Sequence, residues 1–388
     1  MIRNRKALIP IIILVAALAV VFYFIAPKFF IPGKPIKKVS NVAQDSLQSY
    51  YEQAQNLNSH ITPTTTATFL AVGDIMLSRN VALAINNAND AGLPFKNMAD
   101  VLRSTDFNFA NLESPAAPIR PVIGGHSLVF GAATSSLQAL KDFNFQIINS
   151  ANNHAFDQGL AGLEITNSTL DSLGIAHEGT GDNLDQAWGP AVVTANGIKI
   201  CFVGASYGTN GGGSLAAQYV AEIAETDRLN QAITKAKSEC DFTVATMHAG
   251  IEYTRIPNAG QKDFAHAAID DGADMVIGAH PHWVQPFEKY QGKYIFYSLG
   301  NFIFDQGFSQ DTSQGLTLKI TVSKTLTTNP TTPGAATADD LQGTRKPAQL
   351  DSVELLPVII TNSQPRPATP AETKTILSKI KQQETILK

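Results

Sequence analysis

The chain has 388 residues, 44% of them hydrophobic, and 29 Lys and Arg against 33 Asp and Glu give a net charge of −4. That composition excludes a collagen-like or disordered polymer and leaves ample material for a large core. The weak acidic balance argues against nucleic acid as a partner, because neutralising phosphates needs a basic surface.

The first feature in chain order is an uncharged apolar run, ALIPIIILVAALAVVFYFIAP, over Ala7–Pro27. Its length suits a bilayer core of about 30 Å. Arg3, Arg5 and Lys6 precede it, Lys28, Lys34, Lys37 and Lys38 follow it, and no small-x-small cleavage site ends it. Residues 1–38 therefore read as an uncleaved single-pass membrane anchor. The short basic stub favours a cytoplasmic N-terminus and an extracellular body, although positive charge flanks both ends. Residues 39–67 are polar and read as a stalk.

From Thr68 onward strand-like apolar runs recur: TFLAVGD, DFNFANLE, FQIINSAN, IKICFVGAS, DFTVATMH, DMVIGAHPH and KYIFYSLGN. Helical patterns such as TSSLQALKDF, LAGLEITNSTLDSLG and AGQKDFAHAAIDDG lie between them. That alternation predicts βαβ units and a mostly parallel sheet in an α/β domain spanning 68–388. LTLKITVS and DSVELLPVII have no long helix between them and predict an antiparallel part. Residues 325–346, rich in Thr, Pro and Ala, read as a disordered surface insert, and a helix is expected over 371–385. Cys201 and Cys240 each edge an apolar run, where two small buried residues are the plain expectation and a disulfide is open. No Cys-based zinc spacing is present.

Strand after strand ends in a polar residue: Asp74, Glu113, the trio Asn152, Asn153 and His154, then His248, His280 with His282, and Asn301. Any one of these has a plain structural explanation, as an N-cap, a turn or a satisfied core histidine. Their recurrence at one end of a sheet does not, because ligands bind beyond the carboxyl ends of strands. Carboxylates with imidazoles make a metal-binding set. In an extended segment His280 and His282 would point to one side, with Pro281 stiffening the link.

The ordered motifs GDIM (73–76), NLESP (111–115), SANNH (150–154), MHAGIEY (247–253), GAHPHW (278–283) and YSLGNFIFDQ (297–306) resemble the CapA-type poly-γ-glutamate biosynthesis proteins of the calcineurin-like metallophosphoesterase superfamily. The resemblance runs from about Thr68 to the end. It implies a four-layer α/β/β/α metallophosphatase-like sandwich behind the single N-terminal transmembrane helix. It also implies one or two divalent metal ions (Mn, Fe or Zn) held by Asp74, Glu113, Asn153, His248, His280 and His282. His154 would be the catalytic acid or anion stabiliser, Asn301 would orient a histidine, and Asn152 would support the ligands or touch the substrate. Met76 stands where the superfamily usually has a ligating histidine, and a thioether is a poor ligand for hard ions.

Two functions follow, and a third reading, a structural surface protein with a vestigial site, is disfavoured by the nearly full ligand set. One is a metal-dependent hydrolase or transferase acting on an anionic polymer or phosphoester. The other is a polymer-binding or export subunit of a capsule synthase with little catalysis. In either, the partners are an anionic polymer such as poly-γ-glutamate, the membrane and other synthase subunits. A polymer binder needs basic residues at the pocket, for which Arg79, Arg120 and Arg255 are candidates, each with solvated surface charge as the plain alternative. His126, His177 and His266 read as surface or helix histidines, and Asp305 and Gln306 as turn-capping residues.

Overall fold

The computed structural model describes residues 64–325, 347–382 and 384–388. Through them run β1 (Thr64–Ile75), α1 (Arg79–Ala88), α2 (Ala99–Leu102), β2 (Phe107–Leu112), α3 (Thr134–Asp142), β3 (Phe145–Asn149), α4 (Gly159–Leu173), β4 (Ala176–Glu178) and α5 (Leu184–Ala187). There follow β5 (Ala191–Ala195), β6 (Ile198–Ser206), α6 (Thr226–Glu239), β7 (Phe242–His248), α7 (Ala259–Asp270), β8 (Met275–Ala279), β9 (Phe287–Tyr290), β10 (Lys293–Phe296) and β11 (Asn301–Ile303). The chain closes with β12 (Gln314–Thr325), β13 (Gln349–Thr361), β14 (Gln364–Pro367), α8 (Pro370–Lys379) and β15 (Ile386–Leu387). The expected membrane anchor, nearly all of the stalk and all but Thr325 of the surface insert lie outside the described residues. Among the described residues no helix is long and apolar enough to cross a membrane.

The strands form two sheets, as the resemblance implies, where strand alternation alone predicts a single mostly parallel sheet. The nine-stranded sheet runs β14-β13-β12-β1-β2-β3-β4, with β11 added to β1 and β15 to β13. Its β1 to β4 half is parallel and its β12 to β14 half antiparallel. The six-stranded sheet runs β5-β6-β7-β8-β10-β9, parallel in its middle. The expected parallel half and antiparallel close are thus present, but α1, α5, β4, β5, β9, β11, β14 and β15 are additions to the elements read from sequence. The last helix stops at Lys379.

Period-two alternation makes the layers. In β1, Phe69 and Ala71 enter one buried cluster, while Leu70 and Val72 enter another. In β6, Ile200 and Phe202 share the first cluster with β1, whereas Cys201 and Val203 join a third. The shared cluster therefore lies between the sheets. There Phe69 stacks on Phe107 with centroids 4.9 Å apart, and Phe109 stacks on Phe202 across the sheets at 5.3 Å. The outer faces are covered by α1, α3 and α4 on one sheet and by α6 and α7 on the other. Both faces of the central strands are buried, which is why they read as continuous apolar runs. Cys201 and Cys240 are buried and joined by a disulfide, tying β6 to the end of α6.

A buried polar link crosses between the sheets. Glu178, at the end of β4, is buried, and its Oε1 accepts a hydrogen bond from Thr246 Oγ1 of β7 at 2.5 Å. Gly204 makes room for it: a Cβ there would sit 1.7 Å from Glu178 Oε2. Burial pushes the Glu178 carboxyl from 4.5 up to about 8, against the smaller lowering effect of the Thr246 bond. Because the folded value lies above the unfolded one, this group costs nothing below pH 4.5 and destabilises progressively as pH rises towards about 8. Relative to a Glu178→Gln variant, the parent chain should lose about 1.4 kcal/mol per pH unit between those values. Urea unfolding of both chains at pH 5 and pH 8 checks this, and parallel losses in the two would contradict it.

Candidate metal centre

The ends of the strands from both sheets meet at one place. Register makes the first part of it. Asp74 of β1 pairs with Asn111 of β2, and Asn111 pairs with Asn149 of β3. Their side chains form a ladder: Asn149 Nδ2 donates to Asn111 Oδ1 at 3.1 Å, and Asn111 Nδ2 donates to Asp74 Oδ1 at 2.8 Å. Neither asparagine shows this role in the sequence: Asn111 opens the NLESP motif and Asn149 closes an apolar run. Gly73 lets the chain at Gly300 pass close by, since a Cβ on it would lie 1.9 Å from the Gly300 carbonyl. That carbonyl accepts a hydrogen bond from the Asp74 backbone at 3.0 Å.

The second sheet supplies the imidazoles. His248 ends β7, and His280 and His282 follow β8. The His-Pro-His segment is not extended as the sequence suggests: His280 and His282 have φ of 99° and 57°. Positive φ is costly for a residue with a Cβ and persists only where the surroundings hold it. The backbone bends, and this brings both rings inward. The set therefore straddles two sheets and does not sit at the edge of one.

The donors converge. Oxygen and nitrogen atoms of Asp74, Glu113 and His248 lie within 4.8 Å of one another, and all three residues are fully buried. Asn153 Oδ1 and His280 Nδ1 lie 2.8 Å and 3.1 Å from His248 Nε2. His282 Nδ1 is 3.5 Å from Asp74 Oδ2, and its Nε2 is 3.7 Å from Glu113 Oε1. Asn301 Oδ1 lies 2.9 Å from His282 Nδ1, and its Nδ2 donates to the Thr312 carbonyl at 2.9 Å, which fixes that ring. Both oxygens of Glu113 and Nδ1 of His248 are buried with no hydrogen-bond partner. Orphaned acceptors of this kind are rare in a folded interior. Burial first, and the Asp74 charge second, raise the Glu113 carboxyl well above its ordinary value. Burial and the neighbouring histidines push His280 down to about 3 and hold His248 well below its ordinary value. Neutral imidazoles and partnerless carboxylate oxygens fit a divalent cation. Met76 is buried and turned to local use, its sulfur accepting from the Ser78 backbone at 3.1 Å.

His154 stands beside this cluster, its Nε2 3.8 Å from Glu113 Oε1. Its Nδ1 lies 2.7 Å from Asp157 Oδ2, and its ring stacks on Phe130 at 3.9 Å. Asp157, three residues on in SANNHAFDQG, is a partner the sequence reading did not single out. Asn152 is structural: it donates to the Leu112 carbonyl at 2.8 Å and accepts from the His154 backbone at 3.1 Å.

A cavity of about 520 Å³ opens over the cluster, lined among others by Arg79, Asn153, His154, Glu252, Tyr253 and His282. Arg79, at a φ of 49°, stacks its guanidinium 4.8 Å from the Phe130 centroid and pairs with Asp305. Asp305 thus has a defined role, and Gln306 lines the cavity. Arg255 is not at the cavity; it pairs with Asp311 at 2.8 Å and stacks over Trp283 at 5.3 Å. Arg120 and His126 are exposed and also lie off the cavity. His177 sits half-buried on β4, and His266, on α7, faces Glu288 at 3.2 Å. Burial first, then the Glu252 charge, raises the phenols of Tyr253 and Tyr207.

A family model described as "Bacterial capsule synthesis protein PGA_cap" matches residues 68–306. The "PGA biosynthesis protein CapA" of Bacillus subtilis (strain 168) is 33% identical over 63% of this chain and 65% of its own length. The "Capsule biosynthesis protein CapA" of Bacillus anthracis is 29% identical over 64% of this chain and 62% of its own. The matched stretch thus spans less than two thirds of either relative. A solved hypothetical protein from Thermus thermophilus aligns with 78% of this chain and 98% of its own, at 16% identity and a TM-score of 0.40.

Burial and the Asp74 charge favour the protonated form of Glu113, so metal uptake should compete with protons there, releasing them on binding and tightening as pH rises. Calorimetry of Mn²⁺ binding to the chelator-treated chain, in buffers of different ionisation enthalpy, checks this. Uptake without proton release would contradict it.

Proposed function

The chain belongs to the bacterial capsule synthesis protein family, and from that premise we propose that it is a metal-dependent hydrolase or transferase of capsule or poly-γ-glutamate biosynthesis. The single observation that carries this reading is the buried, partnerless Glu113 carboxylate facing Asp74, His248 and His282. The two sheets with helices outside them are read as the metallophosphatase-like sandwich. Asp74, Glu113, Asn153, His248, His280 and His282 hold the metal, with manganese, iron or zinc as the candidates. A divalent cation there supplies Lewis-acid polarisation of a carbonyl or phosphoryl oxygen.

The chain's own residues do the rest. Asn301 keeps His282 oriented, and the Asn149–Asn111 ladder keeps Asp74 oriented. Asp157 fixes the His154 ring through Nδ1, leaving Nε2 to face the cluster and to give or take a proton at the substrate. The stack on Phe130 restricts that ring further.

We propose further that the body lies outside the cell on a single-pass anchor. The apolar run Ala7–Pro27 supports this, as does the Cys201–Cys240 disulfide, because disulfides persist in oxidising compartments. Other subunits of a capsule synthase are the proposed partners. A polymer-gripping subunit without catalysis would want free cations in the cavity. Among the described lining residues Arg79 is the permanent cation, and Asp305 already holds it.

The test is metal-dependent turnover by the full chain on poly-γ-glutamate and on simple phosphoesters. His154→Ala should lower kcat by roughly 10²–10⁴-fold with metal content unchanged. A metal-loaded chain that turns over neither substrate would leave the binding-subunit role in its place.

A further inference from the structure

We infer that Glu252 receives a substrate ammonium group, so that the site works at the amino end of an amide-linked polyanion and not along its interior. This rests on the hydrolase reading of the same cavity and names the part of the substrate it takes.

The inference comes from the charges that line the cavity. Its titratable side chains include Arg79, His154, Asp157, Glu252 and His282. Arg79 is paired with Asp305. His154 and Asp157 face each other at 2.7 Å. His282 lies between Asp74 and Glu113. Glu252 is different: its side chain is exposed at the cavity, and among the described residues no Lys, Arg or His forms an ion pair with it. The cavity thus presents a carboxylate to its substrate and offers no free permanent cation.

Glu252 is also held in place. Its neighbour Tyr253 has a φ of 59° and donates its backbone N–H to the Pro281 carbonyl at 2.9 Å. The Tyr253 ring lies against His282 at 5.8 Å, and its hydroxyl accepts from Gln306 Nε2 at 3.2 Å. Thr254 closes the turn by donating to the Ile251 carbonyl at 2.9 Å. The turn that carries Glu252 is therefore fastened to the His280–His282 segment, and the Glu252 carboxylate acts on the Tyr253 phenol by hydrogen bond and charge and on Tyr207 by charge.

The group complementary to a carboxylate among aromatic rings is an ammonium. A chain of acidic residues joined by amides carries carboxylates along its whole interior, which Glu252 repels. It carries one ammonium, at its amino end. Seating that end at Glu252 brings it into the cavity that Asn153, His154 and His282 also line.

The test titrates the full manganese-loaded chain with tri-γ-glutamate, either with a free amino terminus or N-acetylated, and counts the metal in the same samples. The free form should bind at least about tenfold tighter, about 1.4 kcal/mol, and Glu252→Gln should erase the difference while keeping its metal. Equal affinities, no binding of either form, a preference that survives in Glu252→Gln, or loss of metal from that variant would each overturn the inference. A parent chain without metal would instead remove the hydrolase reading, and this inference with it.

Discussion

A carboxylate with no partner governs this structure. Glu113 is fully buried, and neither of its oxygens accepts a hydrogen bond. Removing one partner from a buried charged group typically costs about 3–5 kcal/mol, so folded chains rarely leave a charge alone. Here Asp74 lies in the same cluster and adds a second negative charge, while burial keeps His248 and His280 neutral and unable to offset it. A proton or a metal ion resolves that conflict, and the donor set is one that a metal ion satisfies.

The fold serves this constraint by bringing two sheets together at their strand ends. The first sheet contributes oxygen, from Asp74, Glu113 and Asn153, and the second contributes nitrogen, from His248, His280 and His282. Neither sheet alone completes the set. The aromatic cluster between them, with Phe69, Phe107, Phe109 and Phe202, therefore fixes the spacing of the site as well as the stability of the domain. Truncating a buried phenylalanine typically costs about 3–5 kcal/mol. Such a change in this layer would also shift carboxylates relative to imidazoles.

Part of this was legible in the sequence. Apolar runs that stop at Asp74, Glu113, His248 and His280 mark strand ends directly, because a buried strand tolerates few polar residues. The roles of Asn111 and Asn149 were not legible: one opens NLESP and the other closes an apolar run, and only register shows that Asn111 stands beside Asp74 and Asn149 beside Asn111. Nor was the bend at His280 and His282. Extended geometry is the natural reading of a His-Pro-His segment, and the positive φ values come from tertiary packing. Asp157 and Asp305 look like turn residues until the chain brings His154 and Arg79 to them. The Cys201–Cys240 bond depends on the return of α6 to β6, which no spacing rule contains.

The central claim is that the Glu113 cluster holds a divalent metal. The most direct measurement is the metal content of the full chain purified without chelator, beside a Glu113→Gln/His248→Ala double variant, with circular dichroism to show that both are folded. The account predicts near-stoichiometric metal in the parent chain and its loss from the variant. A folded parent chain that carries no metal, even after incubation with manganese, iron or zinc, would contradict it.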